Sequence, residues 1–417
     1  MRDWAERRLH FVGIGGAGMS GLALVCAELG ASVTGSDRSD SSYMERLRRV
    51  GIEPIVGHAA ANLPEGAEVV VSTAIGPDNP ELAPARERGV EPIHRGALLA
   101  ELCAEKRLIA VAGTHGKTTT TAMLTWALRG LGADPAFFIG GEVPGLGPDG
   151  DTANAGWGGG EWVVAEADES DASFLALEPE IAVVTNVEMD HHSRWGSEAE
   201  LRAAFDEFTA GARAVARPQD LDLDVALTVP GRHNLLNARA AIAAAELAGF
   251  DRDSVANALA GFPGVHRRLE LKGERSGARI YDDYAHHPTE VREALSALRE
   301  LAPARLFAIF QPHLYSRTKA FAEQFGAALA LADTVAVLDV YPAREEPVGE
   351  LAGVSGLDVA RAAADRGTGR PVLWTPTLEA AERAFARRLG EGDTLVTIGA
   401  GDVFKVAEAL VGGEDAA

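Results

Sequence analysis

A glycine-containing loop offers the first chemistry in this sequence. Residues 113–119 read Gly-Thr-His-Gly-Lys-Thr-Thr, follow the apolar run Arg107–Ala112 and precede a helix-forming stretch. In such a turn the backbone amides and the helix N-terminus face a phosphate, a lysine neutralises it, and a threonine hydroxyl can bind Mg²⁺. The first glycine lies three residues before the second, not five as in the common phosphate-loop pattern. We expect nucleotide contacts from Gly113, Thr114, His115, Gly116, Lys117, Thr118 and Thr119.

A second glycine pattern lies near the N-terminus. Gly13, Gly15 and Gly18 match G-x-G-x-x-G between an apolar strand and a helix. Asp37 follows about twenty residues later, at the end of the next strand, as in Rossmann-like diphosphate sites. The pattern predicts a nucleotide ligand without specifying redox chemistry. A nicotinamide dehydrogenase, or glycines that serve only strand–helix packing, remain alternatives.

Two polar segments follow apolar strands in the central part of the chain. Residues 166–171 read Glu-Ala-Asp-Glu-Ser-Asp, and four carboxylates at the end of a buried strand repel one another unless a cation is near. A Mg²⁺ site that includes Glu166 is the interpretation we favour over a solvated acidic turn. Residues 185–192 end in two histidines, of which His191 could ligate a metal or orient a phosphate. Open α/β sheets bind ligands at this edge.

The last polar clusters lie further along the chain. Residues 231–234 read Gly-Arg-His-Asn, and together with Asn237 they open a helix expected over 235–248. An asparagine amide there could bind a nucleotide base, although capping is an equally good interpretation. Histidines and arginines recur at residues 266–268, 282–289 and 311–318. They suit an anionic substrate, with helix capping and solvated loops as the alternative.

The elements that must position these residues alternate between strand and helix. Such alternation predicts parallel sheets with right-handed crossovers. The pattern restarts near residue 105 and again near residue 263, which predicts three α/β domains over 1–104, 105–262 and 263–417. Residues 140–160 are too rich in glycine for a helix. We expect strands at 10–14, 31–35, 68–72, 107–112, 162–165, 181–184, 225–229, 278–282, 306–310, 334–338 and 394–398.

Composition narrows the class of protein. The 417 residues exceed the usual size of one hydrophobic core, and 47% hydrophobic with 24% charged residues is typical of a globular chain. The net charge of −22 argues against nucleic-acid binding. No apolar stretch is long enough for a membrane span and no signal peptide is evident, so we expect a cytoplasmic protein. Two isolated cysteines predict neither a disulfide framework nor a metal cluster.

Taken in order, eight motifs resemble those of the Mur ligase family. The resemblance runs from His10 to about Asp402 and is carried by HFVGIGGAGMSGLA, GTHGKTTTTAM, EADESDASFL, TNVEMDHH, GRHNLLNARAAIA, GVHRRLE, YDDYAHHPTE and QPHLYSRT. It implies a Rossmann-like N-terminal domain that binds a UDP-sugar, a P-loop-type central ATPase domain and a Rossmann-like C-terminal domain. It also implies that the first glycine pattern holds the UDP diphosphate and not NAD.

The resemblance assigns roles to residues in all three domains. It implies that Lys117 contacts the transferred phosphate, and that Thr118, Glu166 and His191 hold Mg²⁺. Nucleotide contacts from the later motifs are implied for His233, Asn234, Asn237, Arg268 and Asp283. Catalytic roles on the substrate side are implied for His287 and Arg317. We expect substrate contacts in the first domain from Gly13, Gly15, Gly16, Ala17, Gly18, Asp37, Ser72 and His94.

The activity that the resemblance implies is ATP-dependent formation of an amide bond. The branch it most resembles joins L-alanine to the carboxylate of UDP-N-acetylmuramate through an acyl phosphate, with Mg²⁺, in peptidoglycan precursor synthesis. A monomer or homodimer is expected. The related branch that adds a recovered murein peptide, and a non-catalytic nucleotide-sugar sensor, are the alternatives.

Two features depart from the family's pattern. No lysine lies between Lys117 and Lys272, so the carbamylated lysine of several relatives is absent, as expected for the alanine-adding branch. The central domain is shortened near residues 209–230, where we expect only the strand at 225–229. Because the named motifs are intact, we expect activity.

Overall fold

Three sheets, flanked by helices, form the part of the chain that the structure describes. The structure is a computed structural model that describes residues 3–190, 194–367 and 369–413. In each sheet the central strands are apolar and buried, which is typical of parallel sheets covered on both faces. The α/β class predicted from the sequence is confirmed. None of the helices in these ranges is long and apolar enough to cross a membrane.

The first sheet is entirely parallel, with strand order β3-β2-β1-β4-β5. Apolar residues of β1 are buried at its centre. Its strands are β1 (Arg8–Val12), β2 (Ser32–Asp37), β3 (Ile55–Val56), β4 (Glu68–Val71) and β5 (Ile93–His94). Its helices are α1 (Ala17–Glu28), α2 (Ser42–Arg49), α3 (Leu82–Glu87) and α4 (Arg95–Cys103).

The second sheet has strand order β11-β10-β6-β9-β7-β8, and only β8 is antiparallel to its neighbour. Its strands are β6 (Arg107–Ala112), β7 (Ala136–Val143), β8 (Ala153–Gly156), β9 (Trp162–Glu166), β10 (Ile181–Val184) and β11 (Ala214–Ala216). The helices that follow these strands are α5 (Lys117–Gly130), α6 (Glu198–Ala210), α7 (Arg232–Leu247) and α8 (Arg252–Leu259). The ends of β6, β9 and β10 therefore lie side by side.

The third sheet has strand order β12-β13-β17-β14-β15-β16, with β12 antiparallel to β13. Its strands are β12 (Glu270–Arg275), β13 (Ala278–Asp283), β14 (Leu306–Phe310), β15 (Thr334–Val337), β16 (Val372–Trp374) and β17 (Thr394–Ile398). Its helices are α9 (Pro288–Glu300), α10 (Tyr315–Leu329), α11 (Gly356–Arg366), α12 (Leu378–Phe385) and α13 (Phe404–Gly412).

One local expectation needs correction, and the structure adds detail to a second. Residues 225–229 form no strand; the strand that follows α6 is the shorter β11. The exposed residues Asp222 and Asp224 precede this segment, and Arg239 of α7 donates to the backbone oxygen of Leu223 and pairs with Asp222. The glycine-rich residues 140–160, expected only to be non-helical, contain the end of β7 and all of β8. A run of glycines excludes a helix more strongly than it excludes an edge strand.

The chain divides into two compact units. One comprises Met1–Thr228 and Leu235–Pro263 and carries the first two sheets. The other comprises Val229–Asn234 and Gly264–Ala417 and carries the third. Within the first unit, α1 packs on β7 and β8, where a side-chain carbon at Gly21 would lie 2.9 Å from Ala155. The two glycine patterns thus belong to one unit. The finer division at residues 104 and 262 stays a prediction.

Candidate active site

The phosphate-type loop lies between β6 and α5, as the sequence predicts. Gly113 and Gly116 have φ values of +136° and +82°, a region that favours glycine. A side-chain carbon at Gly113 would overlap the hydroxyl of Thr185, and one at Gly116 would overlap the amide of Asn237. Both glycines are therefore required by backbone conformation and by close neighbours. The N-terminus of α5, with its unpaired amides, begins at Lys117.

Residues 185–188 hold this loop in place. The Asn186 side-chain oxygen accepts from the His115 amide at 2.9 Å, and its NH₂ group donates to the His115 carbonyl at 2.9 Å. The Thr185 hydroxyl donates to the same carbonyl at 2.6 Å. Thr114 exchanges hydrogen bonds with the backbone of Glu188. The segment that follows β10 thus fixes the loop that follows β6, its neighbour in the sheet.

Lys117 is the most constrained charged group of the site. Its ammonium donates to the Gly113 carbonyl at 2.7 Å and pairs with the Glu169 carboxylate at 2.8 Å, while the Glu169 side chain is almost fully buried. Burial alone would lower the pKa of Lys117, but the carboxylates of Glu169, Asp168 and Glu166 raise it above its ordinary value. Lys117 is therefore a largely buried cation, charged at neutral pH, at the helix N-terminus.

The carboxylates of the acidic segment after β9 contact two different parts of the structure. Glu166 accepts from the Thr118 hydroxyl at 3.1 Å and from the Gly140 amide at 2.7 Å. Asp168 and Asp171 accept from Arg95 at 2.7 and 3.2 Å. Burial raises the pKa of Asp168, but Lys117 and Arg95 outweigh it and hold that pKa well below its usual range. Cationic side chains, Arg95 and Lys117, therefore contact this segment. A solvated acidic turn would not need such partners.

Thr118 and Glu166 provide an oxygen pair suited to Mg²⁺. A hydroxyl and a carboxylate are hard oxygen ligands, and Mg²⁺ sites commonly use one or two protein oxygens with phosphate and water completing the shell. These two groups, close together at the N-terminus of α5, fit that chemistry. His191, the third predicted ligand, lies outside the described residues.

The first glycine pattern forms the turn from β1 into α1. Gly13 has a φ of +86°, and the Gly15 amide donates to the Asp37 carboxylate at 2.9 Å. The Ser41 hydroxyl donates to the Gly15 carbonyl at 3.1 Å. Asp37 therefore holds the glycine loop, a contact that its predicted role in substrate binding did not anticipate. Gly16 is the N-cap of α1, so Gly16, Ala17 and Gly18 surround its N-terminus.

Ser72 and His94 follow or end strands of the same sheet. Ser72 comes directly after β4, whose other neighbours in the sheet are β1 and β5. The His94 ring accepts from the Gly96 amide at 3.2 Å, which caps α4, and lies 3.6 Å from Asp171. Both residues thus lie at the sheet edge that carries the glycine loop. Their contact with substrate stays a prediction.

The second unit contains the predicted site residues of the last third of the chain. Asp283 accepts from the amides of Leu269 and Ala285, both at 2.7 Å, and burial raises its pKa to about 6 against the opposing charge of Arg268. His287 caps α9, where its ring accepts from the Thr289 amide at 3.4 Å.

Three further predicted residues of this unit are His233, Asn234 and Arg317. Burial and the charge of Arg268 lower the pKa of His233 to about 4, so its ring is neutral at pH 7. The Asn234 amide donates to the Pro230 carbonyl at 2.7 Å. Arg317 is largely buried on α10, with its guanidinium 3.3 Å from the ring nitrogen of His313.

Asn237, although only three residues further along α7, belongs to the first unit. Its side-chain oxygen accepts from the Thr120 hydroxyl at 3.3 Å and lies against Gly116. The motif 231–237 therefore contributes to both units. In the described residues, the structure brings Asn237, Thr118 and Glu166 to the loop that carries Lys117.

Sequence reasoning missed several residues that shape the site. Glu169, Thr185 and Asn186 lie in segments that the sequence singled out, but their partners become visible only in the fold. Arg95 has no sequence signal beyond its position next to His94. A lone arginine at the start of a helix is ordinary, and only the tertiary structure brings it to Asp168.

The fold and site define a class of protein: an α/β nucleotide-binding protein in which a phosphate-type loop is surrounded by an acidic segment. Three family models match it in order. They are the Mur ligase family catalytic domain over residues 8–107, the Mur ligase middle domain over 111–217 and the Mur ligase glutamate ligase domain over 267–401. The chain belongs to the Mur ligase family.

Two relatives and one solved structure are described as UDP-N-acetylmuramate–alanine ligases. A UDP-N-acetylmuramate–L-alanine ligase of Renibacterium salmoninarum is 42% identical over 458 aligned positions, which cover 97% of this chain and 95% of the relative. A ligase of the same description from Mycolicibacterium smegmatis is 44% identical, and the alignment covers 98% of this chain and 94% of the relative. The crystal structure of the UDP-N-acetylmuramate–alanine ligase MurC from Thermotoga maritima is similar, with a TM-score of 0.83 and 30% sequence identity. The match covers 97% of this chain and 98% of that one.

A murein peptide ligase from Psychrobacter arcticus has the same fold. Its TM-score is 0.70 at 24% identity, over 97% of this chain and 98% of that one. At this identity the likeness shows the fold alone.

Proposed function

We propose that this protein joins L-alanine to the carboxylate of UDP-N-acetylmuramate, with cleavage of ATP to ADP and phosphate, in peptidoglycan precursor synthesis. Relatives that are 42–44% identical over nearly the whole chain carry that description. The observation that carries the proposal is the loop at the N-terminus of α5, where buried Lys117 and the Thr118–Glu166 pair lie together. The reaction would take place in the cytoplasm, where ATP and nucleotide sugars are available. A monomer or homodimer would catalyse it.

The loop supplies electrostatic stabilisation for phosphoryl transfer. A carboxylate oxygen of the muramoyl group attacks the γ-phosphorus of ATP, ADP leaves, and an acyl phosphate results. Negative charge on the transferring group would be stabilised by Lys117 and by the amides at the start of α5. Mg²⁺, when held by Thr118, Glu166 and His191, would neutralise further charge on the phosphates. Asn237 would support the loop from behind Gly116.

The second reaction step needs a neutral amine. The alanine nitrogen attacks the acyl carbonyl, a tetrahedral intermediate forms, and phosphate leaves as the amide bond forms. We assign His287 as the base that accepts the amine proton, and Arg317 as the group that binds the substrate anion. Nucleotide binding is assigned to His233, Asn234, Arg268 and Asp283. The low pKa of His233 keeps its ring neutral at pH 7.

Phosphate release tests the proposal. ATP and Mg²⁺ are supplied with UDP-N-acetylmuramate, with and without L-alanine, and the product is weighed by mass spectrometry. We expect release that needs both substrates and a product with the mass of the alanyl adduct. Turnover only with a murein tripeptide would instead identify the peptide-adding activity. Tight UDP-sugar binding with no turnover under either condition would identify a sensor.

A further inference from the structure

Arg95 occupies an unusual position between the two glycine patterns of the first unit. It is the first residue of α4, and one terminal nitrogen, Nη2, donates to Asp168 at 2.7 Å and to Asp171 at 3.2 Å. Both aspartates belong to the acidic segment after β9. The arginine thus connects a helix of the first sheet to the segment that flanks Lys117 in the second.

The other terminal nitrogen of Arg95 faces the first glycine pattern. A side-chain carbon at Gly18 would lie 3.4 Å from Nη1, so the guanidinium packs over the first turn of α1. Among the described residues, neither Nη1 nor Nε of Arg95 makes a hydrogen bond. A guanidinium has five N–H donors in a fixed fork, and those left over point to a second anionic partner. A helix N-terminus with unpaired amides, which favours phosphate, lies directly beside it.

The acidic segment continues this connection to the phosphate-type loop. Asp168 precedes Glu169, whose buried carboxylate holds the Lys117 ammonium at 2.8 Å. The charges of Arg95 and Lys117 both lower the pKa of Asp168, although only Arg95 forms a hydrogen bond with it. A change in the position of Arg95 therefore changes the field and the carboxylate contacts of Lys117.

We propose that Arg95 couples the binding of the nucleoside diphosphate sugar at the first glycine loop to the binding of ATP at the second. The inference rests on the proposed function. Arg95 donates through Nη1 or Nε to the diphosphate sugar while Nη2 keeps the 168–171 segment, and with it Lys117, in the arrangement that receives ATP. Arg95 is a positioning residue for the ATP site, and each substrate raises the affinity for the other by the same factor.

The test measures this factor directly. Isothermal titration calorimetry gives the Kd of UDP-N-acetylmuramate for the full chain, with and without a non-hydrolysable ATP analogue and Mg²⁺. We expect the analogue to tighten wild-type binding by a factor within roughly 5–150-fold, the usual range of such coupling. In Arg95→Ala the Kd without analogue weakens and the factor falls to about 1.

Two further variants separate coupling from simple structure. Asp168→Asn removes the charge of the nearer of the two acidic partners of Arg95, so UDP-sugar binding without the analogue stays near wild type while the factor falls. Arg49→Ala is the matched control, because Arg49 of α2 also joins the first sheet to the second through an exposed pair with Asp151 at 2.9 Å. It should keep the wild-type factor.

The outcomes distinguish this inference from the function on which it rests. A wild-type chain that does not bind UDP-N-acetylmuramate would overturn both. A wild-type chain that binds and turns over, but shows a factor of about 1, would overturn the coupling alone. So would a folded Arg95→Ala protein, checked by its Tm, that keeps the full factor.

Discussion

Lys117 shows how one side chain can be both structural and chemical. Its ammonium is buried between backbone oxygens and Glu169, so removing it leaves a buried carboxylate without its cation. Breaking such a pair costs about 3–5 kcal/mol of stability, whereas replacing both members is far less harmful. Any variant of Lys117 must therefore be compared with one in which Glu169 is neutralised as well.

We predict that Lys117→Ala combined with Glu169→Gln lowers ATP turnover at least about 100-fold, because the charge that stabilises the transferring phosphoryl group is gone. UDP-N-acetylmuramate binding should persist, since its proposed loop lies on the first sheet. Phosphate release and calorimetry measure the two effects. Glu169→Gln alone is the control. Equal loss of both functions with an unchanged Tm would contradict the assignment of the two loops.

Glu81 provides a pH-dependent prediction. Its fully buried carboxylate accepts from Ser36 at 2.7 Å and Asn62 at 2.7 Å, and lies 3.2 Å from His10. Although burial alone would raise it, these partners lower the pKa of Glu81 to about 2 from an ordinary 4.5. The ionised group therefore stabilises the fold by about 3 kcal/mol at pH 7.

Because the folded pKa lies below the unfolded one, this stabilisation is present above about pH 4.5 and is lost as the pH falls towards 2. Wild type should exceed Glu81→Gln in free energy of unfolding by about 3 kcal/mol at pH 7, and by roughly half of that at pH 3. Urea unfolding across this range measures the gap. The exposed Glu65→Gln controls for loss of one charge. A gap that does not narrow would show that Glu81 stabilises through packing and not through ionisation.

The residues differed in how far sequence could predict them. Lys117 and Glu166 follow apolar strands in a recognisable order, so their approach could be expected from strand adjacency. The contact of Asp37 with Gly15 arises because the backbone amide is the nearest donor once the loop folds. Arg95 could not be found this way. Its partners are more than seventy residues away and no local spacing encodes them.

At the scale of elements, the loop between β6 and α5 places strict limits on which residues can occupy it. Gly113 combines a φ of +136° with close contact to Thr185. We predict that Gly113→Ala destabilises the fold by about 1–3 kcal/mol and lowers turnover roughly 100-fold, since the loop must shift. Chemical unfolding and phosphate release measure these effects.

Gly132, at the end of α5, offers the matched control for backbone strain. Its φ is +79°, and a side-chain carbon there would meet no atom within 4 Å. Gly132→Ala should cost about 1–2 kcal/mol of stability and leave kcat unchanged. Full activity of Gly113→Ala would mean that the loop tolerates the shift and that its geometry does not limit the reaction.

Strands were predictable where the sequence was continuously apolar, as in β6, β10, β14 and β17. One expected strand is absent because another interaction decided the outcome. Just before residues 225–229, Arg239 of α7 donates to the backbone oxygen of Leu223. In β7, a side-chain carbon at Gly140 would overlap the Glu166 carboxylate, so the glycine serves the site and not only the strand.

At the scale of the whole molecule, the chain is shorter than the alignments that connect it to its relatives. One alignment spans 458 positions against 417 residues here, so that relative carries residues that this chain lacks. The described segment 221–231 holds neither helix nor strand. The loop, its glycines and the Thr118–Glu166 pair, on which the proposed chemistry depends, are all present in the first unit.

The net charge of −22 leads to a prediction about how substrates arrive. ATP and UDP-N-acetylmuramate are polyanions, and a strongly acidic protein repels them over distances comparable to the Debye length. Raising ionic strength from about 0.01 M to about 0.15 M shortens that length from roughly 30 Å to roughly 8 Å. The association rate constant of UDP-N-acetylmuramate should therefore increase with salt, opposite to the usual trend for steered anionic ligands.

Stopped-flow binding in sodium chloride and in potassium acetate measures the rate and controls for specific ion effects. The dissociation rate constant should also increase with salt, because the proposed contacts of the bound anion with Arg95 and the N-terminus of α1 act at short range and salt weakens that attraction. A decrease of the association rate with salt would mean that local positive charge at the two glycine loops dominates the field of the whole protein. Comparison with Arg95→Ala would then show how much of that local charge a single guanidinium supplies.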